Sequence, residues 1–198
     1  MAVVLLPNRP GPADVQWQYI DFGGTLEGGL GGTEQRVNRL GNRWACMVTL
    51  PPMEEQEARY WVAALTRGVR LGVRWKLRQV DLDIGAPGVP LVNGDGQAGD
   101  VLAIKGMTPH YPLVVGQWFN HVQDEYRYLY KVSGPGSADA NGEVSAQIEP
   151  PLRAEPEDGY TLIFGGPVIE GSLMGNGLSW TVDSAIQTGL QFGIREQR

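Results

Sequence analysis

The stretch VRLGVRWKLR, residues 69–78, alternates strictly between an apolar residue and a basic residue or glycine. This period of two predicts a β-strand with its apolar side chains in a core and its charged side chains outside. The basic side chains of the row are expected on one strand face: Arg70, Arg74, Lys76 and Arg78. Two interpretations remain open. The row is a solvated outer face on which cations discourage strand pairing, or it contacts the acidic surface of a neighbouring subunit.

A helix is predicted directly before this strand, at residues 54–66. Pro51 and Pro52 precede it, and three glutamates follow them near the positive end of the helix dipole. Apolar residues then recur at the spacing of one helical stripe: Ala58, Trp61, Val62 and Leu65. Arg67 and Gly68 are typical of a helix end.

Short strands are predicted through the rest of the chain, and two breaks divide them. The strands lie at 15–22, 43–50, 101–104, 113–120, 126–132, 144–149, 160–164, 168–173, 178–183 and 190–195. The breaks are the Gly- and Pro-rich segments 85–99 and 149–159. The last strands are too few to bury a core alone, so we expect them to rejoin the first sheet. The predicted fold is mainly β: a discontinuous β-sandwich of 1–90 and 155–198 with one short α-helix, and an inserted small OB-like β-barrel at 91–154.

A glycine-rich stretch, GGTLEGGLGG at residues 23–32, separates the first two long strands. Its spacing does not match a dinucleotide or phosphate-loop fingerprint, and no Lys-Ser or Lys-Thr follows it. A flexible loop or a hairpin tip is the expected structure.

Composition and charge argue against nucleic acid and membranes as partners. The net charge of −6 over 198 residues disfavours nucleic-acid recognition. The apolar run within residues 1–10 is too short for a signal peptide or a membrane span, so no membrane insertion is expected. The single cysteine, Cys46, is predicted as a small buried side chain on a strand, as in a reducing, aqueous compartment.

Sequence motifs for catalysis or metal binding are weak. His110 and His121 lack partners at zinc-ligand spacing, and the Asx-rich segment 93–104 places Ile104 where a calcium loop needs glutamate. No Gly-x-Ser-x-Gly elbow occurs, although a pair of glycosidase carboxylates can lie anywhere in a sequence. We therefore expect no enzyme activity, cofactor or metal.

A row of aromatic residues is the remaining candidate site. Its members are Trp118, Tyr126, Tyr128 and Tyr130. Aromatics at strand alternation indicate either a core or an exposed surface for a partner or a sugar, and both interpretations stay open.

The order of these features resembles the distal tail proteins that form the tail-tip hub of long-tailed, non-contractile bacteriophages and related prophages. The similar phrases are RWACMVTLPPM at 43–53, GQAGDVLAIKG at 96–106, VVGQWF at 114–119, YLYKV at 128–132, IEPPLR at 148–153, GPVIEGSL at 166–173 and FGIRE at 192–196. The resemblance implies a virion structural protein, assembled in the bacterial cytoplasm, that forms a hexameric ring at the end of the tail tube. Its implied partners are itself, the tail tube protein and baseplate hub or tail-fibre proteins, with host surface glycan as a candidate ligand of the insert. A monomeric β-sandwich carbohydrate-binding module is the alternative.

Overall fold

The computed structural model describes residues 3–175, 177–182 and 187–197. Residue 183, the end of the predicted strand 178–183, lies outside these ranges. In the first half of the chain the elements are β1 (Val4–Leu5), β2 (Asp14–Ile20), β3 (Gly24–Gly28), a 3-10 turn (Gly29–Gly31), β4 (Gly32–Val37), β5 (Arg43–Thr49), β6 (Met53–Glu54), α1 (Glu55–Leu71), β7 (Val73–Lys76) and β8 (Gly88–Val92). Then follow β9 (Val101–Met107), β10 (Pro112–Leu113), β11 (Trp118–Gln123), β12 (Tyr126–Val132), β13 (Gly136–Ser137), β14 (Val144–Glu149), β15 (Leu162–Ile163), β16 (Val168–Leu173), β17 (Trp180–Val182) and β18 (Gln187–Glu196).

The first unit is built on a sheet that joins both ends of the chain. Its strands run in the order β1-β7-β16-β18-β5-β2 among the described residues, with β6 and β17 also paired to β18. The pair β1–β7 is parallel, and the neighbouring pairs along the sheet are antiparallel. Of the predicted last strands, β16 and β18 lie within this sheet and β17 pairs with β18, whereas β15, in the predicted strand 160–164, belongs to the second sheet.

One face of this sheet packs against α1. The register places Phe192, Val48 and Val15 side by side on that face. Trp61 of the helix lies against Phe192 with ring centroids 5.7 Å apart, and its Nε1 donates to the Arg9 carbonyl at 2.9 Å. The buried stripe that the sequence predicts on the helix therefore supplies the core of the first unit.

The helix is longer than the sequence pattern indicates. It continues past Gly68 to Leu71, and Gly72 ends it with φ of +80°. Gly68 is buried inside the helix, where an added Cβ would lie 2.2 Å from Cγ1 of Val73. The first part of the alternating row, residues 69–71, is therefore helical rather than extended, and the strand begins at Val73.

The second unit is a six-stranded, barrel-like sheet in the order β15-β11-β12-β14-β9-β8. A bridge between Leu91 and Thr161 brings the first and last of these strands together and nearly closes the sheet. Its core is a separate cluster that includes Phe119, Tyr130 and Phe164. In sequence the sheet runs from Gly88 at the start of β8 to Ile163 at the end of β15. The inserted unit therefore extends beyond both ends of the predicted range 91–154.

The fold class agrees with the prediction: the chain is mainly β, with one α-helix in the described residues and an inserted barrel-like sheet. Within the same ranges, no helix has the length and apolarity that a membrane span requires.

Candidate interaction surfaces

A buried carboxylate joins the two units. Glu196, at the end of β18, is fully buried. Its Oε1 accepts hydrogen bonds from the Leu129 backbone N–H at 2.9 Å and from Arg153 Nη2 at 2.8 Å, and its Oε2 accepts one from the Trp44 backbone N–H at 2.9 Å. Burial raises the pKa of Glu196, and the Arg153 guanidinium and the two N–H donors oppose that rise. Because the donors come from both units, the contact fixes the units relative to each other.

The Arg153 guanidinium is held from its other sides by aromatic rings. It lies 5.2 Å from the ring centroid of Tyr128 and 5.6 Å from that of Tyr130, within cation–π range. The Arg153 backbone N–H also donates to the Tyr130 hydroxyl at 3.3 Å. The charge is thus enclosed by the second unit's own strand β12.

Burial of the aromatic row excludes it as an exposed partner or sugar surface. Each of its four members, Trp118, Tyr126, Tyr128 and Tyr130, is at most 9% exposed. Trp118 lies against Trp17 and Trp44 of the first unit at centroid distances of 4.7 and 4.8 Å. The surface interpretation is wrong because β12 is buried on both faces, one in the second core and one against the first unit.

The basic row does not lie on one strand. Arg70 is exposed on α1, whereas Lys76 is exposed on β7 and Arg78 follows that strand. Arg74 is used inside the chain: its Nε donates to Glu170 Oε2 at 2.6 Å and its Nη2 to the Glu125 carbonyl at 3.1 Å. The prediction of a four-residue strand face is corrected for Arg70, because the helix extends to Leu71.

A two-stranded hairpin projects between β2 and β5. Strands β3 and β4 pair with each other in a sheet of their own, and the side chains described along both strands are exposed except the half-buried Val37. We call residues 24–37 the arm. A lone hairpin is marginally stable in water, and contact with a partner would add to the stability of an arm with this exposure. The hairpin-tip interpretation of the glycine-rich stretch is confirmed.

Polar contacts at its base hold the arm on the first unit. Arg36 forms an ion pair with Asp21, and the Asp21 side chain also accepts the Gly23 backbone N–H at 2.8 Å. The Phe22 backbone N–H donates to Asn42 Oδ1 at 2.8 Å. These contacts fasten the base of the arm, and the side chains described along its two strands are exposed except that of Val37.

The sheet also has an open edge beside the arm. Strand β2 pairs with β5 along seven residues and has no second strand partner among the described residues. An edge strand of this length has unpaired backbone N–H and C=O groups that can pair with a strand of another chain. The arm and this edge are the two surfaces best suited to assembly, and the sequence pattern identified neither as such.

Sequence comparison assigns no role to these surfaces. No protein-family model matches the chain, and no curated protein matches it.

His121 is a buried titratable group away from these surfaces. It lies in β11 between Tyr128 and Tyr160, with ring centroids 5.9 and 5.8 Å away, and neither ring nitrogen has a hydrogen-bond partner among the described residues. Burial lowers its pKa to about 4.

In the described ranges no three His, Cys, Asp or Glu residues are placed to hold a metal ion. Cys46 is buried as predicted, and burial raises its pKa to about 12.

Acid is expected to destabilise the protein through His121. The unfolded chain protonates this histidine near its ordinary pKa of 6.5, whereas the folded chain resists protonation until about pH 4. The unfolded state therefore binds more protons between these values, and about 3 kcal/mol of stability is lost as the pH falls through them. Urea unfolding at pH 7 and pH 4 measures the loss, and a His121→Phe variant should lose about 3 kcal/mol less. Equal losses in both proteins would contradict the assignment.

Proposed function

We propose that the chain is a structural virion protein that forms a ring at the distal end of a phage tail and joins the tail tube to baseplate or tail-fibre proteins. The observation that carries the proposal is the arm, a hairpin that is exposed along both strands. Its exposure supports a protein that functions by assembling with other chains. The resemblance to distal tail proteins supplies the tail-tip setting.

Ring formation follows from the difference between the two assembly surfaces. The arm and the open edge of β2 are different structures, so a contact between the arm of one copy and the edge region of the next is heterologous. Heterologous contacts form closed rings when the rotation per copy closes. The resemblance favours six copies.

Charge supports a contact between copies. Glu27 and Glu34 lie on the arm, and the structure shows no ion pair for either within the described residues. Arg70, Lys76 and Arg78 are exposed around β7, toward the opposite end of the sheet from β2, and remain candidate inter-subunit cations. Opposite charges on separate surfaces of one chain can set the register of neighbouring copies in a ring.

The junction between the units suits a connector. Glu196 and Arg153 hold the inserted unit in one orientation on the first sheet. In a ring, every inserted unit would then project at the same angle and offer an ordered set of sites to tail or fibre proteins. A monomeric carbohydrate-binding module built on the aromatic row has no support, because that row is buried.

Shortening the arm is expected to abolish self-assembly and leave the fold intact. Replacing residues 27–34 with Asn-Gly keeps the paired residues Leu26 and Gln35 and closes them with a two-residue turn. The removed residues contribute no buried side chain that the structure describes, so the Tm should change little. Light scattering after size exclusion measures the mass. An unchanged oligomer would contradict the role of the arm.

A matched pair of point variants tests whether the arm acts through its side chains. Leu26 on the arm is 60% exposed, and Val115 on the second unit is 56% exposed. We expect Leu26→Ser to weaken assembly and Val115→Ser to leave it unchanged, because only the first lies on a proposed contact. Equal effects of the two variants would indicate nonspecific hydrophobic association.

A further inference from the structure

A cleft of about 740 Å³ lies where the two units meet. The first unit lines it with β2, β4, the start of β5 and the segment 38–42, and the second unit lines it with Asp100 and Glu149. Small-molecule sites are typically clefts of about 300–1,000 Å³ and often lie at domain interfaces. The buried junction network keeps the two walls in a fixed relation.

Apolar surface on the wall comes from aromatic and aliphatic side chains. The rings of Tyr19 and Trp44 lie 5.0 Å apart, and Tyr19 is partly exposed. Leu40 is 73% exposed at the same cleft. These side chains form an apolar surface that can pack against the carbon-bound hydrogens of a ligand.

Hydrogen bonds fix the orientation of Tyr19. Its hydroxyl donates to Glu149 Oε2 at 2.9 Å and accepts from Asn42 Nδ2 at 3.1 Å. Burial is the largest cause that raises the pKa of Tyr19 to about 12, and the Glu149 carboxylate adds to it, so the hydroxyl keeps its proton. The ring is therefore held in place before any ligand arrives, which reduces the entropy lost on binding.

The lining of the cleft carries charges of both signs. Arg36 is paired with Asp21 and Glu149 accepts from the Tyr19 hydroxyl, which leaves Arg39 as a cation and Asp100 as a carboxylate without such contacts. The side chains of Arg39 and Asp100 make no ion pair or hydrogen bond with any residue that the structure describes. An anionic ligand would approach the carboxylates and a cationic ligand the guanidinium groups, so this arrangement favours a neutral ligand that can donate and accept.

We propose that this cleft binds a neutral oligosaccharide, with one sugar ring against Tyr19 and its hydroxyl groups between Arg39 and Asp100. Each sugar hydroxyl can donate to a carboxylate and accept from a guanidinium, which matches the mixed lining. The site differs from the buried aromatic row and does not depend on ring formation. In a ring, each copy would present one such cleft, and avidity would strengthen binding to a glycan-covered surface.

Binding of the full-length protein to an array of neutral, sialylated and sulfated oligosaccharides tests the proposal. We expect neutral glycans to bind, and to bind better than their charged counterparts. The preferred glycan is then titrated by calorimetry. A protein that binds no neutral glycan at millimolar concentration, or that prefers charged glycans, would overturn the proposal.

Point variants locate the site. Tyr19→Ala should weaken binding of the preferred glycan by about tenfold or more, and Arg39→Ala and Asp100→Ala should each weaken it by about tenfold. Glu57→Ala, an exposed substitution on α1, is the control and should bind as the native protein does. Arg39 and Asp100 are exposed, so their variants decide the question even if Tyr19→Ala folds poorly. Unchanged affinity in both would place the glycan elsewhere and refute the cleft.

Discussion

Replacing Glu196 by alanine is expected to lower the free energy of unfolding by about 3–5 kcal/mol, the range measured when one partner of a buried ion pair is removed. The substitution removes the acceptor of the Arg153 guanidinium and of the Trp44 and Leu129 backbone N–H groups. Leu129 and the Arg153 side chain are buried and Trp44 is half-buried, so water can replace only part of the lost bonds. Thermal unfolding should show a fall in Tm of roughly 10 °C.

Two further variants separate the buried contact from general effects of removing a charge. Glu196→Gln keeps the shape and one acceptor oxygen, and we expect a smaller loss than for alanine because only the charge and one acceptor are removed. Glu143→Ala removes an exposed carboxylate from the second unit, and its effect should lie within about 0.5 kcal/mol of zero. If Glu196→Ala were as stable as Glu143→Ala, the junction would not depend on this carboxylate.

Replacing Gly171 by alanine is expected to prevent folding or to cost about 4 kcal/mol or more. Gly171 lies in β16 between β7 and β18, paired with Val73 on one side and Glu196 on the other. An added Cβ would lie 2.0 Å from the Arg195 carbonyl oxygen, far inside van der Waals contact. Since the obstructing atom belongs to the backbone of a central strand, the clash cannot be relieved by a side-chain rotation. Circular dichroism and the soluble yield measure the outcome.

Gly165→Ala is the matched control for this substitution. No heavy atom lies within 4 Å of the position that its Cβ would take, and its φ is outside the left-handed region. We expect its stability to change by less than about 1 kcal/mol. A folded Gly171→Ala protein with the stability of the Gly165→Ala protein would show that β16 and β18 are not packed as described.

The helix and most strands were predictable because their side-chain periods reflect burial on one side. The stripe of Ala58, Trp61 and Leu65 marks α1 in the sequence and packs on the sheet in the structure. The helix end was not predictable, since Gly68 and Gly72 both fit a terminal position. In the structure Gly68 stays helical with no room for a side chain against Val73, and Gly72 ends the helix with φ of +80°. That contact arises only in the folded protein.

The interaction surfaces were less predictable, because they depend on how the two units pack. Aromatic residues at alternate positions in 126–132 left an exposed face open, yet β12 lies between the two cores, and its remaining side chains are half-buried. Arg153 and Glu196 are distant in sequence, and their ion pair follows from the insertion of one unit into the other. The cleft beside Tyr19 has residues from both units and carries no local motif.

Electron microscopy of the purified full-length protein tests the central claim, that the chain is a ring-forming assembly protein. We predict closed rings with one rotational symmetry, six-fold by the resemblance, and their absence when residues 27–34 are replaced with Asn-Gly. Particles no larger than a 21.6 kDa monomer at every concentration, or aggregates without rotational symmetry, would contradict it.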